Sequence, residues 1–186
     1  MEIIDFNRDF SGFLDGEDIL LDTGILLAYL NKYDSWSTTV SKLFTEYILN
    51  NNNELYLYIN IAILNEITNL IGKNKAIQEY MNKHENHGIT DEEIIRVEKD
   101  SIEQLKILLE NDVIQYLDMT KESYLTQLEL YKSLGAADAI NASIANEHGI
   151  SFLTVDNRLV NNIYRNKDKL NNISNLYYTS PEYKDY

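Results

Sequence analysis

Four acidic residues have the type and spacing to act together in metal-dependent chemistry: Asp22, Glu66, Asp138 and Asp156. Asp22 follows three aliphatic residues, Glu66 has aliphatic residues close on both sides, and Asp138 lies between two alanines. Charged side chains are seldom placed in such apolar surroundings unless they are paired or bound to a metal ion. Hard divalent cations prefer oxygen ligands. The four carboxylates therefore predict a site for Mg²⁺ or Mn²⁺.

Two observations bear on the alternatives to a magnesium or manganese site. A single carboxylate at a strand end or in a first helical turn is usually a solvated cap, and the 30 Asp and Glu residues of the chain make chance placement common. The chain has no cysteine and only three histidines, His84, His87 and His148, which disfavours zinc. His84 and His87 have helical spacing, but their polar surroundings favour solvent exposure.

The hydrophobic pattern predicts strands that end at or near these acids, alternating with helices. The strands are predicted at 19–21, 55–59, 113–117 and 150–155, with a fifth at 173–178. The helices are predicted at 25–31, 36–49, from 61 onward, and at 91–109, 121–132 and 136–147. This alternation indicates an α/β fold with a central parallel sheet of four to five strands and helices on both faces. Ligands bind beyond the carboxyl ends of such strands, where the four acids would meet.

The remaining segments are predicted to be connections within a single domain that spans residues 1–186. Its core would cover about 19–159, preceded by an irregular lead-in, 1–18, around Gly12 and Gly16, and followed by a strand and tail, 160–186. The polar run Asn50 to Asn53 is predicted as a turn, and 72–89 as a connection or helix end.

Composition and charge narrow the class of protein. The longest early apolar run is too short to span a bilayer, and no signal peptide opens the chain, so we expect a soluble cytoplasmic protein.

A net charge of −14 disfavours nonspecific binding to polyanions. If the protein handles nucleic acid, it needs bound metal, a basic patch or a basic partner. The one dense basic stretch either guides RNA or is a solvated helix face: Arg158, Arg165, Lys167 and Lys169.

The order of these segments from about Ile19 to Leu159 resembles the PIN domain, the nuclease fold of VapC-type toxins and of several RNA-processing enzymes. The resemblance is carried by Leu20-Leu21-Asp22-Thr23, by Asn60 to Glu66, by Leu134 to Ala142 around Asp138-Ala139, and by Phe152 to Asp156. The chain departs from the small toxins in its longer lead-in, in its longer stretch from Gly72 to Thr90, and in having Asn60 where a hydroxyl residue is usual. The first two leave the subfamily open.

The resemblance implies an endoribonuclease that hydrolyses RNA with metal-activated water and without a covalent enzyme intermediate. In this interpretation Asp22 is the central ligand, Glu66 and Asp138 are ligands or orienting groups beside it, and Asp156 is a further ligand or an outer holder. Thr23, Asn141 and Thr154 either hydrogen-bond a carboxylate, a phosphate or a metal-bound water, or serve only in local capping and packing.

The resemblance also implies binding partners for the protein, and two other functions stay open as alternatives. If the chain is a toxin, a small antitoxin with a basic segment should bind over the acids, and a homodimer is expected by analogy. One alternative is a catalytically inactive PIN-fold module that binds RNA or protein. Another is a hydrolase of small phosphate esters, which is disfavoured because Asp22-Thr23-Gly24 lacks the second aspartate of haloacid-type phosphatases.

Overall fold

A single parallel sheet of six strands organises the protein, which we describe from a computed structural model covering residues 1–49, 53–85 and 88–185. The strands are β1 (Glu2–Asp5), β2 (Glu17–Leu21), β3 (Leu55–Ile59), β4 (Ile114–Tyr116), β5 (Ser151–Leu153) and β6 (Asn175–Tyr178). Their order across the sheet is β1-β6-β5-β2-β3-β4, and each adjacent pair is parallel. The carboxyl ends of all the strands therefore point toward one edge.

Helices occupy the connections between these strands from β2 onward. They are α1 (Thr23–Leu30), α2 (Ser37–Leu43), α3 (Ile61–Gly72), α4 (Lys75–Lys83), α5 (Asp91–Glu110), α6 (Lys121–Leu134), α7 (Ala136–His148) and α8 (Asn157–Arg165). A π-helical stretch, Phe44–Leu49, continues α2, and a 3₁₀ turn, Pro181–Tyr183, lies near the C-terminus. No helix in the described parts of the chain is both long and apolar enough to cross a bilayer.

The central strands β2 and β5 are covered on both faces. Ile19, Leu20 and Leu21 are all fully buried, although successive side chains of a strand point to opposite faces. All three residues of β5 are buried as well. Only a sheet with helices packed on both sides buries its middle strands in this way. The predicted fold class is thus confirmed.

The prediction of four to five strands was too low, because the lead-in supplies an edge strand. Residues Glu2 to Asp5 pair in register with Asn175 to Tyr178, from the other end of the chain. Four residues with two acids among them carry no clear strand period, so only this long-range pairing defines β1. The lead-in prediction was therefore wrong for residues 2–5.

The segment 72–89 also differs from its prediction, because it contains α4 rather than only a connection. Asn74, in a left-handed conformation with φ of 52°, separates α4 from α3. Ala76 and Ile77 are the two buried residues of this helix, which is too weak an apolar pattern to reveal it in the sequence. His87 and most of the predicted turn at 50–53 lie outside the described residues.

Candidate functional site

Asp22 lies at the centre of the candidate site, directly after β2 at the carboxyl edge of the sheet. It is the N-cap of α1, and its side chain is only 7% exposed. One carboxylate oxygen, Oδ1, accepts a hydrogen bond from the backbone N–H of Thr23 at 2.9 Å. The other oxygen, Oδ2, accepts from the hydroxyl of Thr154 at 2.6 Å. These two donors fix the orientation of the Asp22 carboxylate.

Thr154 connects two of the predicted acids. Its buried hydroxyl donates to Asp22 and accepts a 3.0 Å hydrogen bond from the backbone N–H of Asp156. Asp156 in turn caps α8, since its Oδ1 accepts from the backbone N–H groups of Arg158 and Leu159 at 2.7 and 3.2 Å. The ends of β2 and β5 are thereby held in a fixed relation.

Thr23 holds the third acid in a similar way. Its hydroxyl donates to Oε2 of Glu66 at 2.8 Å, which joins α1 to α3. Glu66 lies in the second turn of α3, whose start is fixed by Asn60. The Asn60 side chain accepts from the N–H groups of the second and third helical residues, so asparagine caps this helix in place of a hydroxyl residue.

Asp138 enters the site from the first turn of α7. Gly135, with φ of 94°, separates α6 from α7 and allows the sharp change of direction that brings this turn to the sheet edge. At the other end of α7, Gly149 adopts the left-handed conformation and leads into β5. One helix and one glycine turn thus place Asp138 and Asp156 on the same side of the molecule.

All four acids line one open cleft of about 500 Å³ at the carboxyl edge of the sheet. Thr23 and Gly24 from α1 also line it, together with Trp36 and Leu70. The remaining walls come from two further segments of the chain: Val155, Asn157 and Arg158, and Pro181 and Lys184.

The electrostatics of the cleft reflect clustered negative charge. Burial raises the pKa of Asp22 to about 7, and the charges of Asp138 and Glu66 add to the rise, while hydrogen bonds from Thr154 and Thr23 oppose it. Burial also raises the pKa of Asp138 to about 6, with contributions from Asp156 and Glu66. The carboxylates therefore repel one another, and a cation in the cleft would relieve that repulsion.

The four carboxylates offer the oxygen ligands that a hard divalent cation prefers, although they do not all surround one point. Among the described residues, no group of three or more His, Cys, Asp or Glu side chains is drawn together tightly enough to hold a metal ion. Magnesium commonly keeps several waters and takes only one or two carboxylates. An arrangement of carboxylates around an open cleft suits that mode of binding, with Asp22 buried and the other three acids partly exposed.

We expect replacement of Thr154 by valine to weaken the site while keeping its shape. The substitution removes the donor to Asp22 and the acceptor for the N–H of Asp156. Loss of a partner that orients a metal ligand typically costs roughly 10- to 100-fold in metal affinity or activity. The measurement is Mn²⁺ affinity by calorimetry. Thr154→Ser, which retains the hydroxyl, should restore most of the affinity; equal affinity in Thr154→Val and the unmodified protein would contradict this role.

Asn141 lies outside the cleft lining. It is 1% exposed, and its Oδ1 accepts a 2.9 Å hydrogen bond from Nδ2 of Asn60. This bond ties α7 to the start of α3. Asn141 therefore supports the helices that carry Asp138 and Glu66, in line with the packing alternative for this residue.

The structure separates the four basic residues. Arg158 lines the cleft, is 91% exposed and lies 3.7 Å from Oδ2 of Asp156. Helix α8 then leads away from this edge, and Lys167 lines a different depression together with Met1, at the start of the sheet's first strand. Lys169 contacts Glu129 at 3.2 Å. Only Arg158 of the four lies beside the acids.

Sequence reasoning missed Trp36 and Lys184 as cleft residues. The ammonium group of Lys184 lies 5.3 Å from the centre of the Trp36 ring. These two residues are far apart in the sequence, and no local motif marks either. Lys184 is a second cation at the cleft, in addition to Arg158, and it lies outside the predicted basic stretch.

Comparison with known proteins identifies the family of the chain. The sequence matches the PIN domain over residues 19–165, which is most of the chain. The protein therefore belongs to the PIN domain family, whose members are generally nucleases that use divalent metals. No curated relative matches the sequence. Among solved structures, a chain in the crystal structure of VapBC2 from Rickettsia felis bound to a DNA fragment from their promoter is similar, with 15% identity and a TM-score of 0.48. The match covers 86% of this chain and 98% of that chain.

Proposed function

We propose that the protein is a divalent-metal-dependent endoribonuclease that hydrolyses RNA phosphodiester bonds in the carboxylate cleft. The observation that carries the proposal is the convergence of Asp22, Glu66, Asp138 and Asp156, from four different elements, on one cleft. Membership of the PIN domain family supports nuclease chemistry in general. The finer assignment to RNA, and to Mg²⁺ or Mn²⁺, rests on the donor chemistry and on the motif resemblance.

In the proposed reaction water adds across a P–O bond, with its oxygen joining phosphorus and a proton going to the departing oxygen. A bound divalent cation would supply Lewis acidity and lower the pKa of water. Asp22, Glu66, Asp138 and Asp156 would hold the cation. Thr154 and Thr23 keep the carboxylates of Asp22 and Glu66 oriented toward the cleft. Such preorganisation avoids reorientation of the ligands during reaction.

The proposal is tested with purified protein, end-labelled single-stranded RNA and either MgCl₂, MnCl₂ or excess EDTA. We expect internal cleavage with a divalent metal and none with EDTA. The products should lack a 2′,3′-cyclic phosphate, because water rather than the RNA 2′-hydroxyl attacks phosphorus. Cleavage that persists in EDTA, or cyclic phosphate ends, would contradict the proposed reaction. Binding of RNA without cleavage in any metal would instead support the inactive binding module.

We further propose that the two cleft cations, Arg158 and Lys184, guide the RNA backbone, and that Arg165, Lys167 and Lys169 contribute little. Arg158 and Lys184 line the same cleft as the acids. Lys167 lines another depression of the surface, and neither Arg165 nor Lys169 lines the cleft. We choose Arg158 and Lys184 because they line the cleft, and not because basic residues are dense in one part of the sequence.

Neutralising the two cleft cations should flatten the salt dependence of RNA binding. Removing one cation that neutralises a phosphate lowers the slope of log affinity against log salt by about 0.7 for a single strand, so Arg158→Gln with Lys184→Gln should lower it by about 1.4. Arg165→Gln with Lys167→Gln is the matched control, since it removes the same charge. Binding is measured in an Asp22→Asn background so that RNA stays intact. Equal slopes for both double variants would contradict the assignment.

We propose that the protein acts in the cytoplasm as the toxin of a toxin-antitoxin pair. A protein with a net charge of −14 and an acidic cleft presents a surface that a small antitoxin with a basic segment would complement. Homodimerisation is proposed by analogy with such toxins. Induced expression in bacterial cells should arrest growth for the unmodified protein and spare it for Asp22→Asn. Equal growth arrest by both would count against a toxin that acts through this cleft.

A further inference from the structure

A second cavity, of about 170 Å³, has aromatic walls and is lined by none of the four acids of the carboxylate cleft. Three of its walls are the rings of Tyr33, Tyr80 and His84, all of them partly exposed. The Tyr80 and His84 rings stack with their centres 4.2 Å apart, and the Tyr33 ring meets Tyr80 edge-on at 5.1 Å. Because these rings are partly exposed at an open cavity rather than buried in the core, they can contact a ligand there.

The aromatic cavity adjoins the carboxylate cleft. Ser35 and Asp185 line the cavity, while their chain neighbours Trp36 and Lys184 line the cleft. The backbone N–H of Asp185 donates to the carbonyl oxygen of Ser35 at 2.8 Å, which ties the C-terminal tail to the connection between α1 and α2. At these two short segments, consecutive residues line the two depressions.

The chemistry of the aromatic cavity suits a flat, uncharged group better than a phosphate. Its cationic wall residues are Lys32 and Lys83, and Lys32 is paired with Glu93 at 2.8 Å. Three acids of the wall, Asp34, Glu79 and Asp185, outnumber these two lysines. A nucleobase stacks on aromatic rings with little dependence on its identity, and such stacking strengthens binding by roughly 5- to 150-fold per base.

We propose that Tyr33, Tyr80 and His84 form a base-stacking subsite for single-stranded RNA whose neighbouring phosphate lies in the carboxylate cleft. This inference rests on the proposed RNA-cleaving function, and it adds that the substrate is unpaired where it binds. A base in a duplex keeps both faces stacked on its neighbours and cannot use the rings. The subsite supplies affinity without many cations, which is consistent with the acidic character of the chain.

The test compares two ligands of equal charge: a ten-nucleotide single-stranded RNA and a ten-unit ribose-phosphate chain without bases. Binding is measured by fluorescence anisotropy in EDTA, with the Asp22→Asn protein as the parent. We expect Tyr80→Ala to weaken RNA binding roughly tenfold, the loss typical of one stacking ring, and to leave the abasic chain unaffected. His84→Ala should act in the same direction, so the test does not depend on one variant folding.

Two controls separate stacking from general effects. Tyr80→Trp keeps an aromatic face and should retain the affinity for RNA. Tyr131→Ala removes a tyrosine that is 47% exposed on α6, away from both depressions, and should change nothing. Unchanged RNA affinity in both Tyr80→Ala and His84→Ala overturns the subsite. Equal losses for RNA and the abasic chain also overturn it, because the rings would then not be contacting bases.

Failure of the subsite and failure of the proposed function give different results. Metal-dependent RNA cleavage by the unmodified protein, together with no effect of the ring variants on RNA binding, overturns the subsite and leaves the nuclease function standing. Base-dependent loss of binding in Tyr80→Ala, together with intact RNA in every metal, supports the subsite and overturns the nuclease function.

Discussion

Replacing Asp22 by asparagine is expected to lower the rate of RNA cleavage by more than the roughly 100-fold that loss of an outer partner of a metal ligand costs. The substitution removes the charge of the one buried acid among the four and nearly preserves the shape of the side chain. Asparagine also offers only one oxygen, whereas Asp22 accepts from both Thr23 and Thr154. The measurement is the single-turnover cleavage rate at saturating Mn²⁺.

A matched carboxylate shows whether the effect of Asp22→Asn is local. Asp100 lies exposed on α5 and does not line the cleft, so Asp100→Asn changes the net charge equally without touching the site. Its cleavage rate should equal that of the unmodified protein. A similar loss in both variants would mean that overall charge, rather than the position of Asp22, controls the rate.

Divalent metal is expected to raise the thermal stability of the protein by roughly 5 to 10 °C. Metal that binds only the folded state stabilises it by about 2.7 kcal/mol at a hundredfold excess over the dissociation constant. For a domain of this size, 1 kcal/mol shifts the melting temperature by about 2 to 4 °C. The measurement is a Mn²⁺ titration followed by differential scanning calorimetry. An unchanged melting temperature up to millimolar Mn²⁺ would contradict a metal site.

The Asp138→Asn variant sharpens the metal-stability experiment, because it should move the metal-free and metal-bound proteins in opposite directions. The charge of Asp138 is destabilised by burial and by Asp156 and Glu66, so removing it should raise the metal-free melting temperature at pH 8, by roughly 2 to 4 °C per kcal/mol regained. The increment on adding Mn²⁺ should shrink. A lower metal-free melting temperature would indicate that the carboxylates do not repel.

Local sequence pattern was sufficient to predict the elements that carry the acids. Asp22 follows β2 directly, Asp156 lies three residues after β5, and Gly149 marks the turn between α7 and β5, so these positions follow from short-range signals. The family resemblance to the PIN domain, drawn from the same short segments, is confirmed over residues 19–165. The catalytic roles of the four acids stay predictions, since convergence on a cleft establishes position and not activity.

Features that depend on distant parts of the chain were not predictable in this way. The strand β1 exists because it pairs with β6, and Lys184 reaches the cleft because the tail bonds to Ser35. Density in the sequence was also a poor guide to where the basic residues lie. Arg158 lies in the first turn of α8 and Arg165 at its last residue, and Lys167 and Lys169 follow the helix, so the basic residues do not all reach the cleft.

Anomalous diffraction from crystals grown with Mn²⁺ tests the central claim most directly, because it locates the metal without reference to any assay. We expect one or two manganese peaks in the cleft, with carboxylate oxygens of Asp22 and at least one other of the four acids about 2.0 to 2.2 Å away, the metal–oxygen distance of small hard cations. Manganese bound only elsewhere on this acidic chain, with the cleft of Asp22, Glu66, Asp138 and Asp156 free of it, would contradict the account.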